Sequence, residues 1–317
     1  MIPLVLPLLL AAAAACAQPA PPPRPAPDPG RPVHAEAAAV DPALSSDRVR
    51  VLGALALTGR HRAFGGFSGV LIDGDGAGLT LVSDRGALVT ARLVRQGDRL
   101  AGLADVRLAA LTGPDGRPRR LGADDAEALA RAPDGALLIA FEGDDPRIWR
   151  YASPGARAER APDAEGFGAL QRNSGLEALA VGPDGAIYAL PERSGDTARP
   201  FPVFRLAPGA EDWDIGTFER RPPFLVTGAD VGPDGMLYVV ERDFSLLGGF
   251  SWRLSRADPA DWPALRPETL LTARGGLDNV ESVSLWRDPA GRLRALLIAD
   301  DNFQPIQRSL LLELEIL

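Results

Sequence analysis

The 317-residue chain contains no lysine, so all 34 of its basic residues are arginine. That absence excludes Schiff-base catalysis and the phosphate-binding loop that ends in Gly-Lys. Histidine is nearly absent as well. His34 lies in a Pro/Ala-rich stretch, which leaves His61 in GRHRAFGGFSG to carry any His-dependent chemistry; it reads as a packing or rim residue. The single cysteine, Cys16, precedes the folded region, so no disulfide holds the fold and no Cys/His zinc site can be assembled. Past the first 15 residues no stretch reaches 18 uninterrupted apolar residues, so none is read as a membrane-spanning helix. Acidic residues outnumber basic ones by 42 to 34, and a net charge of −8 argues against nucleic acid as a partner. What remains for chemistry is carboxylates, arginine, asparagine and main-chain oxygens. Those groups suit hard cations such as calcium, and anionic substrates.

Residues Met1 to Ala15 (MIPLVLPLLLAAAAA) form an apolar run ending in small residues, the pattern of an export signal, and residues 1–17 are read as that signal. Two processing routes fit. Ala15-Cys16-Ala17 matches an A-x-A cleavage site, whereas Ala13 to Cys16 resembles a bacterial lipobox that would make Cys16 the lipidated first residue. Either route places the protein outside the cytoplasm, periplasmic or secreted, with a lipid anchor to the envelope in the second case. Residues 18–46 are rich in Pro and Ala and are read as a linker, and residues 47–317 as the folded domain.

The folded part repeats. Ala132-Pro133-Asp134-Gly135, Gly182-Pro183-Asp184-Gly185 and Gly232-Pro233-Asp234-Gly235 recur every 50 residues, each between two apolar runs, which is the pattern of a β-hairpin. Weaker copies surround Gly78 and Gly291, giving gaps of 57, 50, 50 and 56 residues. Further strands such as RIWRYA, FPVFRLA and FSWRLS bring each unit to four strands, the size of a propeller blade. The fold class is therefore all-β, a β-propeller of about five four-stranded blades, or alternatively six if one copy has lost its turn. The C-terminal SLLLELEIL and the N-terminal VRVLGALAL are expected to share a blade and close the ring. The five tryptophans are read as blade packing.

A set of motifs in fixed order carries a resemblance: FGGFSG (64–69), SDRG (83–86), DAEALA (125–130), NSGLEALA (173–180), PDG…ER (183–193 and 233–242), NVES (279–282) and DDNFQ (300–304). Over roughly 60–317 the chain resembles the phytase-like ("esterase-like activity of phytase") family of exported bacterial proteins. The resemblance implies a β-propeller and hydrolysis of phosphate or other esters.

The repeat itself points to one face. Glu127 and Glu142 lie 8 residues before and 7 after Gly135, and Glu177 and Glu192 stand in the same relation to Gly185, so each pair is placed at the open end of its hairpin. Asp84-Arg85, Glu241-Arg242, Glu281 and Asp300-Asp301-Asn302 fall at the same end. A ring of carboxylates with Asn173, Asn279 and Asn302 is oxygen-ligand chemistry for Ca²⁺. Glu127, Glu177, Glu281, Asp84 and Asp300 are expected to hold the metal, with Glu142, Glu192 and Asp301 as candidate bases. Arg85, Arg193, Arg242 and Asn302 are expected to bind the anionic group of a small ester substrate, although the arginines can equally be salt bridges between blades. The expected function is metal-dependent hydrolysis of a phosphoric ester by a monomer. The alternatives are a calcium-dependent carboxylic esterase or lactonase, and a non-catalytic binding propeller of the envelope.

Overall fold

The structure, a computed structural model, describes residues 30–44, 46–170, 175–274, 279–304 and 306–317. The signal segment with Cys16, linker residues 18–29 and Asn173 lie outside the described residues.

Five antiparallel sheets follow one another along the chain. Blade 1 runs from its innermost strand Phe67–Ile72 through Gly78–Ser83 and Ala87–Gln96 to Arg99–Ala110. Blade 2 comprises Ala126–Arg131, Leu137–Phe141, Arg147–Tyr151 and Ala158–Arg160, and blade 3 comprises Leu176–Val181, Ile187–Pro191, Phe201–Leu206 and Trp213–Phe218. Blade 4 comprises Leu225–Val231, Leu237–Ser245, Gly249–Ala257 and Glu268–Arg274. Blade 5 takes Asn279–Arg287, Leu293–Asp300 and Ser309–Ile316 from the C-terminal end and Val49–Gly59 from the N-terminal end. Each innermost strand touches the innermost strands of both neighbouring blades, so the ring closes at five.

The repeated turn explains the hairpins. In Ala132-Pro133-Asp134-Gly135 the Gly135 N–H bonds back to the Ala132 carbonyl at 2.9 Å, and Gly135 sits at φ +86°, where a Cβ would be strained. Pro133 presets the first turn dihedral, and the Asp134 carboxylate accepts the Ala136 N–H. In blade 1 the equivalent glycine is Gly76, bonded to the Asp73 carbonyl, and not Gly78, which begins the next strand. All five turns lie at the lower end of the ring.

Five apolar clusters fill the seams between blades, one per seam. The tryptophans pack there as expected: Trp252 between blades 4 and 5, Trp286 between 5 and 1, and Trp149 between 1 and 2, with Trp213 and Trp262 half-buried against the remaining two. Stacked twisted sheets bury both faces in this way without needing helices. The expected closure is present, with Leu311 opposite Leu55 and Ile316 opposite Val49.

One boundary differs from the sequence reading. Ala35–Val40, placed in the linker by composition, is an outer strand of blade 5 on Val49–Gly59, and Arg31–Pro32 pairs with the outermost long strand of blade 1. Residues 31–40 thus fasten the closing seam from both sides. Composition hides this because an edge strand is held by main-chain hydrogen bonds, and the Ala and Glu side chains of AEAAAV stay largely exposed.

Candidate functional site

In every blade the ladder between the innermost and second strands slips at the same place: between Phe67/Gly69, Ala126/Ala128, Leu176/Ala178, Val226/Gly228 and Val280/Ser282. The extra residue at a bulge leaves the ladder and its side chain is re-aimed. The five bulged residues are Ser68, Glu127, Glu177, Thr227 and Glu281. Just past the residue that pairs before each bulge, the second strands supply another equivalent set: Asp84, Glu142, Glu192, Arg242 and Asp300. Small residues follow each bulge because the innermost strands crowd together there. A Cβ on Gly228 would lie 2.4 Å from the Glu281 carbonyl oxygen, and one on Gly69 would lie 2.6 Å from the Leu129 Cβ.

Blade 2 contributes a compact acidic cluster. One carboxylate oxygen from each of Asp125, Glu127 and Glu142 lies within 4.8 Å of the others. Glu142 also accepts the Gly175 N–H at 3.3 Å. Burial pushes the Glu142 carboxyl up to about 7 against that hydrogen bond, with Asp125 and Glu192 adding to the rise. Glu127 is raised well above the ordinary range by burial, then by Glu177 and Asp125. Glu177 rises likewise from burial and then from Glu192, Glu281 and Glu142, with Arg242 opposing. Among the described residues no hydrogen-bond donor meets the Glu177 carboxylate.

Across the well stands a second group. Arg242, largely buried, donates to Glu281 Oε1 at 2.5 Å, to Glu192 Oε1 at 3.2 Å and to Asn279 Oδ1. The Asn279 amide donates in turn to Glu281. Burial lifts Glu281 to about 8, with Arg242 opposing and Asp300 adding. Asp300 is only 4% exposed, and its Oδ1, out of reach of solvent, has no hydrogen-bond partner. Burial raises it to about 6. Asp84 joins the two groups: burial, then Asp300 and Asp125, raise its carboxyl to about 7. Eight carboxylates from four blades therefore share one well at the upper end of the ring, and blade 4 supplies the guanidinium.

Several expected site residues do not join them. Asp301 spends both oxygens on structure, accepting from the Gly66 and Phe303 N–H groups and from Ser309 Oγ. Asn302 is exposed and donates to Gln307. Arg85 stacks on the Phe303 ring at 3.3 Å and donates to the Arg62 carbonyl. Arg193, half-exposed, pairs with its neighbour Glu192 at 3.0 Å. Glu241 turns away from the well into a buried set with Arg253 and Arg221. His61 contacts Arg31 and the Ala63 N–H, and burial and nearby arginines lower its pKa.

Sequence reasoning missed Asp125 as a member and paired Glu142 with Glu127 at the open end of the hairpin. The Glu142 N–H bonds to the Asp125 carbonyl, so the bulge moves Glu142 opposite Asp125 rather than Glu127. The repeated D-x-E and N-x-E spacing, Asp125 to Glu127 and Asn279 to Glu281, holds the available signal, since strand residues two apart share a face.

A family model described as phytase-like, esterase-like activity of phytase, matches residues 62–303. No curated protein matches the chain. Among solved structures, the calcium-binding protein regucalcin from Agrobacterium tumefaciens is similar at 11% identity and a TM-score of 0.49, covering 79% of this chain and 90% of its own. A gluconolactonase from Xanthomonas campestris is similar at 14% identity and a TM-score of 0.45, covering 90% of this chain and 99% of its own.

Proposed function

Because the chain belongs to the phytase-like family, we propose that it hydrolyses ester bonds at the upper well of the propeller, with calcium bound there and a phosphoric ester as substrate. The observation that carries this reading is the convergence of eight carboxylates on a well with one buried guanidinium. Such a set is unfavourable without either protons or cations.

The donor set fits calcium. Oxygens on opposite sides of a Ca²⁺ stand roughly 5 Å apart, so carboxylate oxygens from Asp125, Glu127 and Glu142 within 4.8 Å of one another can share one ion. The unpartnered Asp300 Oδ1, beside Asp84 and Glu281, is a buried acceptor that a cation would satisfy. When bound, calcium would polarise the ester oxygen and lower the pKa of a water.

The protein's own groups divide the remaining work. Glu142, which shares the acidic cluster with Asp125 and Glu127, is placed to take a proton from a water held beside the ion. Its second oxygen is oriented by the Gly175 N–H. Glu192, paired on both sides by Arg193 and Arg242, is a positioning residue, and it holds the Arg242 guanidinium together with Glu281. Asp84, placed between the two acidic groups, links their charge states.

A second reading has an observation of its own. Arg85, Arg193 and Arg242 are all engaged with neighbours, which leaves no ready-made arginine clamp for phosphate and favours a carboxylic ester or lactone. Hydrolysis of p-nitrophenyl phosphate, p-nitrophenyl acetate and a simple lactone, each in EDTA and in millimolar calcium, separates them. Calcium-dependent turnover of the phosphate supports the first reading, and turnover confined to the other two supports the second. Inactivity on all three while calcium still binds would replace both with a binding propeller. The same proposal takes the protein out of the cytoplasm on the strength of the apolar segment 1–15 and the Pro-rich stretch after Cys16.

A further inference from the structure

Outside the well, the upper face carries a concentrated apolar feature. In blade 4 the second and third strands run on past the rim, pairing from Arg242↔Trp252 through Asp243↔Ser251 and Phe244↔Phe250 to Ser245↔Gly249. The hairpin tip is Leu246-Leu247-Gly248, fixed by the Gly248 N–H on Ser245 Oγ. Leu246 is 93% and Leu247 104% exposed, and Phe244 is more than half exposed with its ring 4.9 Å from that of Phe250. In the adjoining blade 5, the loop after Asp300 presents Ile306, 91% exposed. Turns normally carry polar residues or glycine, so a tip of two fully exposed leucines beside further apolar side chains marks a contact surface.

Shape and chain path decide what covers it. The tip is narrow and convex, and its few side chains offer far less than the roughly 800 Å² per partner of a standard protein interface. Fluid hydrocarbon accommodates such a tip without a matching surface. The described chain also enters on this face: Arg31 pairs with Leu108, close to the upper end of its strand, and its guanidinium meets His61 in the upper loop. Thirteen residues separate Cys16 from Gly30, a reach of at most about 50 Å when fully extended. An anchor upstream would therefore draw this face toward the membrane.

We infer that the Phe244–Phe250 hairpin tip, with Ile306, inserts into the interfacial region of a lipid bilayer and turns the carboxylate well toward it. The contact is separate from any lipid on Cys16 and does not depend on the hydrolase reading. Because the well is acidic, attachment rests on apolar insertion and not on attraction to anionic headgroups.

The test reads the tip itself. Leu247→Trp is made in the full-length gene, and the purified protein is mixed with phosphatidylcholine vesicles, with and without bromine-labelled acyl chains. The fluorescence added by the new tryptophan relative to the parent should shift to the blue and be quenched by bromine. It should do so equally at low and high salt, and less with 30% phosphatidylglycerol. Cys16→Ala should leave the signal in place. Leu246→Asp in the Leu247→Trp background should weaken partitioning about tenfold or more, since one buried leucine accounts for that factor. An unshifted, unquenched tip tryptophan would overturn the inference, as would a signal that disappears with Cys16→Ala. An unchanged melting temperature shows that each variant is folded, as expected for fully exposed sites.

Discussion

Glu281→Gln should change how the calcium-free protein responds to pH. Burial, opposed by Arg242 and reinforced by Asp300, lifts the Glu281 carboxyl from 4.5 to about 8 in the folded chain. The folded state therefore holds this proton more tightly than the unfolded state does. The resulting stability is complete below the unfolded value near 4.5 and is lost as pH climbs through about 8. A rise from 4.5 to about 8, at about 1.4 kcal/mol per unit, puts the loss at about 5 kcal/mol for this group alone. For a domain of this size that is a fall of about 10 °C or more in melting temperature. Asp84 and Glu142, each near 7, and Asp300, near 6, act in the same direction within the same window. Thermal melts in EDTA at pH 5, 6, 7 and 8 should show a steady decline for the wild type. The amide that replaces the Glu281 carboxyl cannot ionise, and Arg242 keeps Glu192 and Asn279 as partners. The variant should match the wild type at pH 5, exceed it at pH 8 and show a distinctly shallower slope. Saturating calcium should restore the wild type at pH 8 by about 2.7 kcal/mol at a hundredfold excess over its dissociation constant. A wild-type profile in EDTA that is flat or rises between pH 5 and 8, or a variant profile parallel to it, would refute the idea that burial keeps this carboxyl protonated.

Other consequences are equally direct. Asp125→Asn combined with Glu127→Gln should abolish the calcium-induced rise in melting temperature, whereas Asp301→Ala should keep that rise while lowering stability by about 2 kcal/mol, because it strands the Gly66 and Phe303 N–H groups. Arg242→Gln leaves Glu281 and Glu192 facing each other and should cost about 3 to 5 kcal/mol in EDTA at pH 8, with part of it recovered at pH 5 where Glu281 is protonated. Gly228→Val drives a side chain into the Glu281 carbonyl and should lower stability by about 3 kcal/mol or more, measured by urea denaturation. A chain starting at residue 47 should melt well below one starting at residue 30, since it lacks the outer strand over the closing seam.

How far the sequence reaches can be seen in particular residues. The blades were legible because a Pro-Asp-Gly turn needs left-handed backbone at its glycine, so the repeat is written in residues whose conformational demands are local. The closure of Ser309–Ile316 on Val49–Gly59 was legible from the apolar ends of the domain. Ala35–Val40 was not, because its pairing uses the backbone and leaves little trace in its side chains. For the site, the acidic character and the face were legible from the spacing of Glu127, Glu142, Glu177 and Glu192 about their turns.

What the sequence alone determined is the kind of chemistry: carboxylates and arginines at one end of a five-fold β repeat, with no lysine and with His61 as the one histidine inside the repeat. Which of them meet was decided only by the tertiary structure. A bulge one residue long sets Glu142 against Asp125, selects Asp300 over Asp301 and selects Arg242 over Glu241. In a strand each residue of offset reverses the direction of a side chain, and a bulge leaves no residue-type signature strong enough to read. The unpartnered oxygen of Asp300 and the convergence of eight acids on one well belong to the closed ring, because they exist only once all five innermost strands stand around one axis.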